Sequence, residues 1–157
     1  LEGRGEYVVE MMQVVKLGPG TRLVFVRWGT GEKRPVTKIK VKSKSVLVAE
    51  YRRQYLVKVE TKYGVPRGAG WHDEGRVVKV TVEPKVNDLG LFSRAVFAGW
   101  SGDVTSHDPV VTVTVDAPKR LKANWRLEYR LEVILELMAA VAVLALVLGL
   151  MIARKLR

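Results

Sequence analysis

Gly99-Trp100-Ser101-Gly102 sets a serine among glycines, the local composition of a nucleophile placed on a tight turn. In a nucleophile elbow the serine sits in Gly-x-Ser-x-Gly between a strand and a helix, which pushes its oxygen out towards substrate. Here the second glycine comes one residue early and no strand-to-helix pattern follows, so Ser101 does not read as a nucleophile elbow. The two histidines, His72 and His107, are far apart, and neither has another histidine at ligand spacing. Asp103, Asp108 and Asp116 suggest a calcium loop but lack the dense alternating carboxylates of an EF-hand, so turn and cap roles fit them better. Gly3-Arg4-Gly5 and Gly18-Pro19-Gly20 are too sparse to cradle a phosphate, and no Lys-Ser/Thr pair follows them. No nucleophile, base and oxyanion hole assemble, and the reading is a non-enzyme with no catalytic residues, no cofactor and no metal.

The aromatic residues offer a second chemistry. Trp28, Trp71, Trp100, Trp125, Phe97 and Tyr63 have flat apolar faces of the kind that stack on sugars or bases. Each stands at a position that recurs along the chain, so core packing is the preferred reading. Trp28 and Trp100 are expected to fill the same pocket in successive copies, pinned by the glycine-containing turn that follows each.

Short strands must position these residues. Leu56-Val57-Lys58-Val59-Glu60, Val77 to Val82, Val110 to Val115 and Leu121 to Trp125 are rich in β-branched residues, alternate with period two, and are bounded by Gly, Pro, Asp or Asn. Pro66, Pro84, Pro109 and Pro118 are predicted to fall between strands, where a missing N–H costs no ladder bond. Gly64, Gly68, Gly70 and Gly75 mark turns that need positive φ. The formal charge is +11, but the cations alternate with apolar residues, as in Lys38-Ile39-Lys40-Val41-Lys42. That pattern suggests one wet sheet face and no concentrated binding cleft, which disfavours nucleic acid and small molecules as partners. With no cysteine, stability must come from packing alone. Abundant Val, Lys and Arg with scarce Asn and Gln is a balance seen in proteins from hot environments.

The chain also matches itself. A shift of 72 residues sets Glu2-Gly3-Arg4 on Glu74-Gly75-Arg76, Val14 on Val86, Arg22 on Arg94, Phe25 on Phe97 and Trp28 on Trp100. After two extra residues in the second copy, a shift of 74 sets Val41 on Val115, Leu47 on Leu121, Ala49 on Ala123, Tyr51 on Trp125 and Tyr55 on Tyr129. Ordered matches with one small loop insertion indicate a tandem repeat. Leu1-Glu2-Gly3-Arg4 also resembles an appended protease site, yet the match continues past Arg4. The expected organisation is a partial first β-repeat at 1–53, a complete second at 54–127, and a membrane segment with a short basic tail at 128–157. A chain of this kind is expected to be the tail of a longer protein, with four or five strands per complete copy.

Three separated motifs in the second copy carry a family resemblance. Tyr63-Gly64 with Gly68-Ala69-Gly70-Trp71-His72-Asp73-Glu74-Gly75, then Phe97-Ala98-Gly99-Trp100-Ser101-Gly102-Asp103, then Asp116-Ala117-Pro118-Lys119-Arg120-Leu121-Lys122-Ala123-Asn124-Trp125, resemble the divergent internalin-B-type B-repeat. His72 stands where such repeats often carry Tyr, and the first copy fits only loosely. The resemblance implies a β-grasp-like or otherwise β-rich spacer module of bacterial and archaeal surface proteins, outside the cytoplasm and without catalysis. The fold expected is therefore mainly β, two tandem small modules followed by one C-terminal transmembrane helix.

Val133 to Ala153 is about twenty residues of nearly unbroken hydrocarbon, the length of a bilayer span, closed by Arg154, Lys155 and Arg157. The helix is predicted to begin between Glu128 and Val133 and to run to about Arg154. Glu128, Glu132 and Glu136 then share one helical face, and Arg130 offsets their repulsion. The terminal cations favour a cytoplasmic C-terminus, although Arg120, Lys122, Arg126 and Arg130 flank the other end. The repeat family favours repeats outside the cell. Two functions from different classes follow. The first is a single-pass cell-membrane stalk whose non-catalytic repeats display an upstream domain, with the bilayer, other surface proteins or a cell-wall or surface-layer polymer as partners. The alternative is a tail-anchored cytosolic basic β-domain binding nucleic acid, ribosomes or anionic lipid. An enzyme acting on cell-wall polymer is disfavoured for want of a site.

Overall fold

The computed structural model describes residues 4–156. Leu1, Glu2 and Gly3, which open the self-match, and Arg157, the last cation of the tail, lie outside the described residues. Alternating β-branched segments form twelve strands, and the apolar tail forms the single helix among the described residues. In chain order the strands are β1 (Gly5–Glu10), β2 (Val14–Gly18), β3 (Thr21–Trp28), β4 (Val36–Val41), β5 (Ala49–Glu60) and β6 (Val65–Arg67). They continue as β7 (Gly70–Asp73), β8 (Val77–Glu83), β9 (Val86–Asp88), β10 (Ser93–Gly102), β11 (Val110–Thr114) and β12 (Lys119–Tyr129), and the helix is α1 (Leu131–Lys155). The protein is mainly β with one C-terminal helix, as the composition of its segments requires.

A seven-stranded sheet runs β2-β3-β5-β12-β10-β9, with β7 also on β5. Its long strand is β5, which takes β3 antiparallel over Ala49–Tyr55, β7 antiparallel over Gln54–Val57, and β12 parallel over Val57–Glu60. The strand thus passes through position 53/54 without a break. Two smaller sheets stand beside it, β11-β8-β6 and the two-stranded β1-β4.

The core follows from period-two alternation. Val78, Val80 and Val82 point inward from β8, while Lys79 and Glu83 stay in solvent. They meet Val111, Val113 and Val115, and the opposite wall is Val57, Trp100, Leu121 and Ala123. Fully burying such an aliphatic side chain contributes about 1.5–3 kcal/mol, and most of the buried residues belong to this valine-rich cluster. Every member of the cluster lies between Val57 and Ala123. Among the described residues before Gln54, only Phe25, Trp28 and Val41 are buried, and Val8, Met12 and Val46 are exposed.

Three expectations need correction. Pro66 lies inside β6, opposite Val82, and not between strands. It is tolerated because β6 is a three-residue edge strand, where a missing donor leaves no ladder bond unmade. The second part of the chain also holds more strands than four or five, because β6, β7 and β9 are too short and too rich in Gly, Pro or Asn to show a period. Finally, Glu128 belongs to β12 and not to the helix, so only Glu132 and Glu136 of the acidic trio lie on α1.

The expected turn glycines Gly64, Gly68, Gly70 and Gly75 all have positive φ. At Gly68 the reason is also spatial, since a Cβ would stand 2.2 Å from the Lys79 carbonyl oxygen.

Candidate functional site

The end of β12 and the start of α1 are joined by one residue, Arg130. Its N–H donates to the Phe92 carbonyl at 2.8 Å, its carbonyl accepts from Ile134 at 3.2 Å, and its guanidinium pairs with Asp88. Arg130 therefore ties the helix to the sheet and does not offset the acidic face expected for it. One step earlier, Arg94 Nη2 donates to Glu128 at 2.9 Å, and Arg126 reaches the other carboxylate oxygen at 2.7 Å. These bonds, Arg126 first and Arg94 second, hold the Glu128 carboxyl below its ordinary range.

No side chain of α1 is buried. Its 25 residues span about 37 Å, enough to cross a hydrocarbon core of about 30 Å. Val133 and Ala153 bound the apolar run, Glu132 lies in the first turn, and Arg154 and Lys155 lie in the last, the arrangement the helix dipole favours at both ends. The chain has one helix long and apolar enough to cross a membrane among the described residues.

The aromatic residues form two clusters of the same design. In the first, Phe25 meets Trp28 at 5.6 Å between ring centroids and meets Tyr51 edge-on at 5.6 Å. In the second, Phe97 meets Trp100 at 5.4 Å and Trp125 edge-on at 5.8 Å. Strand pairing places them so, because Phe25 opposes Tyr51 and Phe97 opposes Trp125, and a bulge follows each phenylalanine. Trp28 and Trp100 are both 2 % exposed, which removes them from any stacking platform. Trp28 Nε1 donates to the Arg34 carbonyl at 2.9 Å, whereas Trp100 Nε1 is buried with no partner among the described residues. Trp125 donates to Thr61 Oγ1 at 3.0 Å and packs edge-on against Tyr63.

Trp71 stands apart from both clusters. It lines an open cleft of about 410 Å³ with His72, Asp73, Arg76 and Lys79. The Arg22 guanidinium covers its ring at 4.2 Å. Asp73 accepts from Gln54 and Arg52, each at 2.8 Å, and the Gln54 bond is the main cause holding its carboxyl low. No local sequence pattern marks this polar group. The readable signal was that Arg22 and Gln54 match Arg94 and Glu128 at the two shifts, since Arg22 also donates to Gln54, at 2.9 Å.

The remaining candidates hold strands and turns in place, with Ser101 inside β10 and His72 inside β7. Ser101 Oγ accepts from Asn124 at 3.0 Å. Asp103 accepts from the Arg120 N–H at 2.7 Å, the Asp108 N–H donates to Ser106, and Asp116 pairs with Lys119 at 2.5 Å. His72 and His107 bond the carbonyls of Gly68 and Ala98. Among the described residues no three His, Asp or Glu side chains converge on one point.

Compared with protein-family models, curated proteins and solved structures, the chain shows no match.

Proposed function

We propose that this chain is the membrane-proximal stalk and anchor of a cell-surface protein, built from two copies of a β-rich spacer module that resembles the internalin-B-type B-repeat. The single observation behind this reading is the coincidence of two strand arrangements. The pairs Val14↔Val24, Lys16↔Arg22 and Phe25↔Tyr51 recur as Val86↔Val96, Asp88↔Arg94 and Phe97↔Trp125, at shifts of 72 and 74. Hydrogen bonds outside the strands repeat too: Phe25 N–H to Gln13 O and Leu56 N–H to Gly20 O recur as Phe97 N–H to Lys85 O and Arg130 N–H to Phe92 O.

Both copies share β5, so no flexible linker separates them, and a one-residue junction leads into α1. Continuous hydrogen-bonded strand is stiff where a Gly/Ser linker would coil, which suits a spacer that holds something away from a surface. The repeats lie outside the cell, the C-terminus in the cytoplasm, and the modules carry no catalysis. Protease added to intact cells tests this: digestion of the β-modules without lysis is expected, and their survival until lysis favours the cytosolic tail-anchored alternative.

A further inference from the structure

Resting on the repeat reading, we infer that the open side of the first module is a docking site for a strand-turn-strand segment with the chemistry of Tyr55–Arg67, contributed by a module preceding it in the same array. In the second module that segment is present. Val57 is fully buried in the core, Val57–Glu60 pairs with Lys119–Lys122, and β6 pairs with the Thr81–Glu83 edge of β8. The first module contains the same receiving surfaces with nothing described upon them.

Three features define that surface. Val9, Met11, Trp28, Leu47, Ala49 and Tyr51 line an open groove of about 550 Å³. By strand pairing and shift they match Val80, Val82, Trp100, Leu121, Ala123 and Trp125; the first five of these are buried around Val57, and Trp125 packs against them. The groove is therefore a core lacking one wall. Second, the stretch ahead of Ala49 is irregular, while its match, Lys119–Lys122, is strand. The difference is the partner, since β5 supports the latter. Third, among the described residues β1 has one strand neighbour, β4. Met11 N–H donates to Pro35 on the β4 side, and an antiparallel ladder alternates, so the N–H groups of Val8 and Glu10 face the open edge. Glu10 pairs with Val36 as Thr81 pairs with Val110, the position that receives Arg67 in the second module. Such an edge is a template for strand addition.

The test uses the full chain in lipid nanodiscs, with and without an extra copy of the Gln54–His72 sequence fused ahead of Leu1. Amide hydrogen exchange is the readout, and Val80 and Val113 report that the second module stays folded. Exchange at Val8, Glu10 and Leu47 is expected to slow about tenfold or more in the fused chain, the scale of a newly protected strand edge. Unchanged exchange there, or equal protection from a scrambled prefix of the same composition, overturns the proposal. So does protection in the unfused chain that grows with concentration alongside dimer formation, which assigns the groove to a second copy. Exchange is read independently of which side of the membrane the modules occupy, so failure here is distinguishable from failure of the surface assignment.

Discussion

Tyr51 and Trp125 occupy the same station in two successive strand pairs, each edge-on to the phenylalanine opposite, Phe25 at 5.6 Å and Phe97 at 5.8 Å. Their polar ends differ: the Tyr51 hydroxyl donates to the Met12 carbonyl at 2.7 Å, while the Trp125 indole donates to Thr61. Thr61 lies just after β5. Each aromatic ring thus ties its strand to a different neighbouring segment.

Leu121 and Leu47 should respond unequally to truncation. Leu121 is 1 % exposed inside the closed core, and Leu121→Ala is expected to cost about 3 kcal/mol. Leu47 lines the open groove, and Leu47→Ala should cost about 1 kcal/mol, since less is desolvated and less cavity is left. Urea unfolding followed by tryptophan fluorescence reads both, because all four tryptophans precede α1. Equal costs would contradict the difference between the cores.

The indoles of Trp28 and Trp100 differ in one hydrogen bond. Replacing either with Phe removes similar volume, but Trp28→Phe also orphans the Arg34 carbonyl, whereas Trp100→Phe removes a donor that has no partner. Trp28→Phe should be the costlier by about 1 kcal/mol in the same unfolding measurement. A larger loss at Trp100 would show that its N–H is satisfied in solution.

Gly99 follows the Phe97 bulge at φ +140°, and a Cβ there would stand 2.8 Å from the Ser106 carbonyl oxygen. Gly99→Ala should destabilise by about 1–3 kcal/mol, as strain at such a backbone position does. Arg27, which follows the Phe25 bulge, has no positive φ, so Arg27→Ala should leave the urea midpoint nearly unchanged, because its ion pair with Glu50 is exposed.

Acid should weaken the modules. Glu32 is lowered to about 2 by hydrogen bonding to Arg34, and Asp73 and Glu128 are lowered by Gln54 and by Arg126 respectively. A carboxyl lowered in the folded state contributes stability that is full above its unfolded value of about 4 and is lost as pH falls through the folded value. The urea midpoint should be level from about pH 8 to 5 and fall between about pH 4 and 2, with Asp73→Asn shrinking the fall. A midpoint that rises on acidification would refute this.

Much of this was legible because two periodicities were strong. The valine alternation of β8 and β11 and the hydrocarbon run of α1 each favour one conformation, so local pattern and tertiary outcome agree. Trp28 and Trp100 were readable as core from the self-match alone. The short edge strands were not, since three residues around Pro66 have no period, and their conformation comes from the neighbour that pairs with them. The Arg22, Gln54 and Asp73 group around Trp71 was also hidden, because it joins residues from three strands. Glu128 read as helical because its spacing from Glu132 suits a helix, but pairing with Arg94 keeps it in β12.

The surface assignment is tested most directly by side-specific labelling, which the absence of cysteine makes clean. Lys33→Cys, on the exposed loop between β3 and β4, and Leu156→Cys, just past α1, are expressed separately in the full chain and exposed to a membrane-impermeant maleimide on intact cells. The expected result is labelling of the Lys33 variant before lysis and of the Leu156 variant only after it. Protection of the Lys33 variant until lysis would contradict a stalk outside the cell.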